Sequence, residues 1–193
     1  MLEGYIAGVR CRVSLLFPAL LTGLLLAQKD SLAVSCVLAS AMHEAGHLFA
    51  MVALGCPPRV CTLGAFGMRI EMGAEQLVGY RRNILVSLAG PLVNLVAAPL
   101  LWLCGCVSAA MVHLILAALN LLPAAALDGG QILRCLFCLA DKQEKADRWL
   151  RILSAIVLLP LAIAAFWVFF SGTGNATLLI VSGYLITLIF LHR

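Results

Sequence analysis

Three side chains that can bind a metal ion or activate water occur together in an otherwise apolar stretch. The segment LASAMHEAGHLFAM, residues 38–51, carries His43, Glu44 and His47 in the order H-E-x-x-H. Four residues advance an α-helix by about 400°, so the two histidines project from one face a turn apart. This spacing is typical of a zinc site in which the glutamate is the general base. The alternative is a pair of histidines that hydrogen-bond between helices beside a protonated glutamate.

A catalytic zinc needs a third protein ligand and an open coordination position. Asp128, in the segment NLLPAAALDGG, is the only other acid within a predicted membrane span, while His113 and His192 are the remaining histidines. We favour Asp128 because Pro123 and the two glycines after the aspartate predict a broken helix. Broken helices at membrane depth are tolerated where they line a cavity. For His113 we expect an interhelical hydrogen bond.

Two asparagines lie near the same predicted site. Asn94 ends the segment SLAGPLVN, whose glycine and proline disturb the helical backbone, and Asn120 precedes the break at Pro123. Each asparagine alone fits a simple bridge between helices. Together they also fit a second role, as donors to an oxyanion or to the backbone of an unwound substrate.

The amino-acid composition indicates that the helices that position these residues lie in a membrane. Of the 193 residues, 63% are hydrophobic and 11% are charged, against about 25% charged residues in an ordinary soluble protein. The mean hydropathy is +1.06. These values indicate an integral membrane protein, and the net charge of +4 does not indicate a nucleic-acid partner. The basic residues are better interpreted through their positions relative to the spans.

Apolar stretches of about 20 residues predict the membrane helices. The expected fold is an all-α polytopic membrane protein, with about six transmembrane helices in one domain over residues 1–193. The first span is interpreted as a retained helix rather than a signal peptide, because no convincing cleavage site follows at once. The predicted spans are 13–27, 31–55, 83–104, 107–140 with a break near 123–130, 149–170 and 175–191.

One segment between the second and third helices has the period of a strand. Phe66, Met68, Ile70 and Met72 alternate with glycine or charged residues. The pattern predicts a small membrane-associated β element near residues 60–72, with an edge that can pair with an extended substrate. A plain cytoplasmic loop is the alternative.

The distribution of lysine and arginine predicts the orientation in the membrane. With six spans, nearly all basic residues fall on the side that holds both termini, and the opposite side holds only Lys29. Both termini are therefore expected to be cytoplasmic. The second helix then runs inward, which places H-E-x-x-H toward the cytoplasmic side.

Three motifs together resemble a known family. H-E-x-x-H in one membrane helix, A-G-P-x-x-N in the next and N-x-x-P-x-x-x-L-D-G further on are similar to those of the site-2 protease family, the intramembrane zinc metalloproteases of peptidase family M50. The segment NLLPAAALDGGQIL and the short six-span layout look most like the bacterial branch that cleaves a membrane-bound pro-sigma factor during sporulation. We expect a member without the CBS domain common in that branch. ATP-linked regulation and the sporulation substrate are therefore not carried over to this chain, whereas the core chemistry is.

The resemblance implies a ligand set, a cofactor and a location. His43, His47 and Asp128 would hold one Zn²⁺, Glu44 would activate water, and the two asparagines, Asn94 with less support than Asn120, would contact substrate or intermediate. The activity implied is hydrolysis of a peptide bond in or near a transmembrane segment of another membrane protein. The expected location is a bacterial cell membrane, and a regulatory membrane partner is compatible with this activity.

Two other classes use the same residues. A membrane metal-binding protein or transporter would need imidazoles and carboxylates along a path to both faces, whereas this sequence clusters them in one place. A non-cleaving pseudoprotease would bind membrane helices without cutting them, and the intact Glu44 with a complete ligand set argues against it. Neither substrate identity nor oligomeric state follows from the sequence.

Overall fold

The computed structural model of the chain describes residues 2–6, 9–14, 31–64, 67–71, 79–125 and 127–171. Helices dominate these residues, and four short strands accompany them. The strands are β1 (Leu2–Ile6), β2 (Val9–Val13), β3 (Val60–Gly64) and β4 (Gly67–Glu71). The helices are α1 (Ser31–Ala53), α2 (Tyr80–Leu103), α3 (Val107–Asn120), α4 (Asp128–Leu139) and α5 (Gln143–Phe170).

Two described helices, α1 and α2, are long and apolar enough to cross a membrane by length and composition, and α3 is a shorter apolar helix. Their bounds lie close to those of the predicted second span, third span and first half of the fourth span. The predicted span 175–191 and most of 13–27 lie outside the described residues, so a count of six spans stays a prediction. The chain divides into two compact units, Met1–Ala118 and Leu119–Arg193.

The strands of the first unit form one sheet in the order β1-β2-β3-β4. The prediction of strands near residues 60–72 agrees with β3 and β4, which pair antiparallel. The sheet is larger than expected, because β1 and β2 pair with each other and β2 adds parallel to β3. On β1, Glu3 bonds Arg10 at 2.6 Å and Arg12 at 3.1 Å. The hydrogen bond from Arg10 lowers the pKa of the Glu3 carboxyl below its usual range.

Helix α1 ends at a left-handed glycine. Gly55 has a φ of 69°, its N–H donates to Val52 O, and Cys56 N–H donates to Met51 O. These two bonds form a Schellman motif, in which glycine takes the left-handed position without a Cβ penalty. The motif turns Cys56 back onto Met51, where both side chains pack with Val86 of α2 in a small buried cluster. The end of α1 is thereby attached to α2.

A close approach between α1 and α2 occurs at Gly46, between the two histidines of the motif. A Cβ on Gly46 would lie 2.8 Å from Ala89 O and 2.9 Å from a methyl group of Val93. No larger residue fits this crossing unless the two backbones separate. The buried face of α1 around Gly46 includes His43 and His47, so the same packing brings both imidazoles against α2.

The second unit contains the break between α3 and α4. The backbone N–H of Ala125 in this break donates to the hydroxyl of Ser154 on α5 at 2.8 Å. Both glycines at the start of α4 are needed there, since a Cβ on Gly129 would collide with Leu121 O, and one on Gly130 with Ala124 O. Asp128 therefore begins a helix whose first turn packs directly on the irregular backbone before it.

Candidate metal centre

The two histidines of H-E-x-x-H converge inside the first unit. Both are buried, His43 with 6% and His47 with 8% of their surface exposed. Their Nε2 atoms lie 3.1 Å apart, and the rings meet edge to face with centroids 4.7 Å apart. Two lone pairs cannot face each other at this distance unless a proton or a cation lies between them. The two Nε2 atoms therefore either share a hydrogen bond from one ring to the other or bind a cation together.

The Nδ1 atoms of both rings are held by α2. His47 Nδ1–H donates to the carbonyl of Val86 at 2.8 Å, and His43 Nδ1 lies 3.3 Å from the amide nitrogen of Asn94. Metal-ligating histidines usually bind the metal with one nitrogen while the other is fixed by such an outer partner. In both histidines here, α2 holds Nδ1, and Nε2 faces the other ring, where a metal ion would bind.

The A-G-P-x-x-N motif supplies the surface against which the imidazoles lie. A Cβ on Gly90 would collide with the His47 ring, and it would come within 2.9 Å of Cε1 of His43. Pro91, which follows, is fully buried and has no N–H to donate to the carbonyl four residues earlier. Asn94 lies one turn beyond Gly90, and its side chain is 0% exposed. The motif thus combines space for two rings with a partner for His43, while Val86, one turn before Gly90, is the partner of His47.

Replacing Gly90 by alanine is expected to disrupt the histidine pair. The added Cβ occupies the position of the His47 ring, so zinc affinity should fall by at least the roughly 10–100-fold seen when outer-shell support is lost. Overpacking should also cost about 1–3 kcal/mol of stability. Competition with a metal-sensitive dye and thermal unfolding in detergent measure the two effects.

Gly79 gives the matched control, since nothing lies within 4 Å of a Cβ built there. Gly79→Ala should bind zinc as the wild type does. Wild-type zinc affinity in Gly90→Ala would contradict the assigned position of the two rings.

The remaining predicted residues are distributed over both units. Glu44 is half-buried on α1, and Asn120 is the half-buried last residue of α3. Asp128 is the half-buried first residue of α4, in the second unit. Thus the structure brings His43, His47 and Asn94 together in one unit and leaves the roles of Asn120 and Asp128 as predictions.

The donor chemistry fits zinc. Among the described residues, the imidazoles of His43 and His47 and the carboxylate of Asp128 make up a set of metal-ligand type, with one donor atom each. Two nitrogens and one carboxylate oxygen match the three-ligand composition of catalytic zinc sites, in which a fourth position is open to water or substrate. Gly90 leaves the space that the two imidazole rings occupy, which agrees with His43 and His47 as members of this set.

The sequence predicted an interhelical hydrogen bond for His113 but did not reveal its partner. As expected it makes an interhelical hydrogen bond, but its partner is Asn94, the residue that also contacts His43. The ring nitrogen Nδ1 of His113 lies 2.9 Å from Asn94 Oδ1. The sequence shows that His113 and Asn94 are polar residues in neighbouring helices, and it contains no signal that they face each other.

Two comparisons with known proteins gave matches. Residues 106–164 match the family model of peptidase family M50, a segment that contains Asn120 and Asp128. The fold is similar to that of a site-2 protease from Methanocaldococcus jannaschii, with a TM-score of 0.65 and 20% identity over 99% of this chain and 94% of that chain. No curated protein sequence matches the chain. Both matches agree with the resemblance to the site-2 protease family: the family model matches about a third of the chain, and the structural likeness concerns the fold.

Proposed function

We propose that this chain is an intramembrane zinc metalloendopeptidase that hydrolyses a peptide bond in or near the transmembrane segment of another membrane protein. The observation that carries the proposal is the buried pair His43 and His47, with Nε2 atoms 3.1 Å apart and Nδ1 atoms held by α2. Ionisable groups at membrane depth are costly and mark functional sites by default.

In this proposal His43, His47 and Asp128 hold one Zn²⁺. The ion would act as a Lewis acid on the scissile carbonyl and make water nucleophilic near neutral pH. Glu44, next to His43 in the chain, accepts the proton of the attacking water and passes it to the leaving amine. Asn120 contacts the substrate backbone or the developing oxyanion, the role that the sequence also predicts for Asn94.

The substrate must be extended when it is cut, because a helix hides its amides in its own hydrogen bonds. Strand β4 lies at one edge of the described sheet, in the same unit as the histidine pair. An edge strand can hold an extended peptide through main-chain hydrogen bonds. We propose that β4 stabilises the unwound substrate segment in this way.

The proposal is tested with purified protein in liposomes. The zinc-loaded chain and a single-span membrane substrate are reconstituted together, and cleavage is followed by gel and mass spectrometry. We expect cleavage that stops when a chelator removes the metal and returns when zinc is restored. Persistent cleavage in the metal-free protein would contradict the proposal.

Metal transport is the second candidate, because a transporter would use the same imidazoles and carboxylate. Liposomes loaded with a zinc-sensitive dye distinguish the two functions. A protease should leave the internal zinc concentration unchanged. Zinc flux that is abolished by His43→Ala, without proteolysis, would favour the transporter instead.

A further inference from the structure

The segment that joins α3 to α4, residues 121–127, has to satisfy its backbone polar groups without a helix. Three of its N–H groups donate to carbonyls of the same segment or of the last turn of α3: those of Leu122, Ala124 and Leu127. Pro123 has no N–H. Among the described residues of the segment, only Ala125 has an N–H that bonds to another helix, α5. Ala125 is therefore the point at which α5 holds this segment by a hydrogen bond.

The acceptor of that bond is the hydroxyl of Ser154, whose oxygen lies 2.8 Å from the backbone nitrogen of Ala125. The same hydroxyl donates its one hydrogen to Leu150 O, a turn earlier in α5, at 2.6 Å. A serine in a membrane helix often makes a bond of this second kind alone, and it then has no role beyond its own helix. In Ser154 the bond to Leu150 fixes the hydroxyl hydrogen, which leaves a lone pair to accept from Ala125.

Bulk water has little access to the bond between Ala125 and Ser154. Ser154 is 6% exposed, Leu150 is 4% exposed and Ala124, next to the donor, is 0% exposed. Removing the hydroxyl would leave a buried N–H without its acceptor, which native backbones rarely tolerate and which is costly away from water. The segment would therefore shift until the N–H of Ala125 found another acceptor.

A shift of this segment would also move Asp128, because the first turn of α4 packs directly on it. Asp128 is the first residue of α4 and comes three residues after Ala125 in the chain. A Cβ on Gly130 would collide with Ala124 O, so the backbones of the segment and of α4 are already in contact. The position of Asp128 therefore depends on the position of the segment.

We propose that Ser154 is a positioning residue for the third zinc ligand, an inference that rests on the proposed function. Its bond to Ala125 holds the segment, and the segment holds the carboxylate of Asp128 in the position that metal binding needs. Groups that orient a ligand in this indirect way contribute about 10–100-fold to metal affinity. Ser154 itself neither binds the metal nor contacts the substrate.

The first test compares Ser154→Ala with Ser154→Thr in the full chain in detergent. Alanine removes the acceptor, so zinc affinity measured by chelator competition should fall about 10–100-fold. Threonine keeps a hydroxyl that both donates and accepts, so Ser154→Thr should recover most of the lost affinity. Equal zinc affinity in Ser154→Ala and the wild type would overturn the proposal.

Ser171 gives the matched control. Its hydroxyl donates to Trp167 O at 2.8 Å, which is the same bond to the carbonyl four residues earlier that Ser154 makes to Leu150. Ser171 is exposed and comes directly after the end of α5. Ser171→Ala should therefore bind zinc as the wild type does.

A spectroscopic measurement separates positioning of the ligand from a purely structural role. Cobalt(II) can be bound in place of zinc, and its visible absorption depends on the geometry of its ligands. At saturating cobalt, Ser154→Ala should have an altered spectrum, whereas Ser154→Thr and Ser171→Ala should have that of the wild type. An unchanged spectrum in Ser154→Ala would mean that the hydroxyl only stabilises the fold, and it would overturn the proposal.

Hydrogen exchange in the wild-type protein tests the bond itself and holds even if a variant folds poorly. The N–H of Ala125 should exchange as slowly as the backbone amides in the middle of α5, because it is bonded and buried. Exchange at the rate of an unstructured peptide would show that Ser154 does not hold the segment.

The proposed function and the role of Ser154 fail in different ways. Wild-type protein that binds no zinc would refute the proposed function and the role of Ser154 with it. Wild-type protein that binds zinc, together with Ser154→Ala of equal affinity, would refute the role of Ser154 alone.

Discussion

Glu44→Gln should lower the rate of substrate cleavage by about 10²–10⁴-fold, the usual contribution of a general base, while zinc stays bound. Glutamine keeps the size of the side chain but cannot take a proton from water. Because Glu44 is not among the proposed ligands, the zinc content measured by mass spectrometry should remain near that of the wild type. Cleavage is measured in liposomes with the same single-span substrate.

Glu144 offers the matched control for this change. It is an exposed residue in the first turn of α5, so Glu144→Gln makes the same chemical replacement away from the histidine pair. We expect its activity to equal that of the wild type. Full activity in Glu44→Gln would remove Glu44 from the reaction and favour a non-proteolytic role for the site.

Asp128→Ala should lose zinc more severely than any outer-shell variant. Removing a direct ligand leaves two imidazoles, which is fewer than the three protein ligands of catalytic zinc sites. Zinc affinity should therefore fall by more than the roughly 10–100-fold expected for loss of a supporting residue. Dye competition measures the affinity, and thermal unfolding of the metal-free protein separates ligand loss from misfolding.

Asp147 is a suitable acidic control in the same unit. It is exposed and accepts a hydrogen bond from Arg134 at 2.8 Å, and a surface pair of this kind contributes about 0–1 kcal/mol. Asp147→Ala should leave zinc binding unchanged. If Asp128→Ala binds zinc as tightly as Asp147→Ala does, Asp128 is not a ligand and the third donor must be sought elsewhere.

The local geometry around the candidate site could be predicted from the sequence, because it depends on short spacings. H-E-x-x-H identified His43 and His47, and helical geometry alone placed them on one face. The break before Asp128 was readable from Pro123 and the glycines that follow. Strands near residues 60–72 were readable from their alternation. Each of these signals lies within about a dozen residues.

The features that the sequence missed depend on contacts between distant segments. Strands β1 and β2 were not expected, because their place in the sheet is set by pairing of β2 with β3, about fifty residues later. The basic residues of β2 were instead counted among those on the side of the membrane that holds both termini. The link between His113 and Asn94 was missed for the same reason, since it joins two helices through side chains 19 residues apart. Periodicity does not report such pairings.

Gly90 illustrates a motif whose reason became clear only in three dimensions. From the sequence, glycine next to Pro91 indicated a disturbed helix. In the structure its missing side chain is also what admits the rings of His43 and His47. The residue therefore acts on the histidines across a helix interface rather than only on its own backbone.

Zinc X-ray absorption of the purified protein tests the proposed centre most directly, because it reports the atoms bound to the metal. We predict a first shell of nitrogen and oxygen at about 2.0–2.2 Å, with the outer scattering of two imidazoles and no sulfur. His47→Ala should lose this signal. A sulfur shell at about 2.3 Å, contributed by any of the eight cysteines, would contradict a zinc site built on His43 and His47.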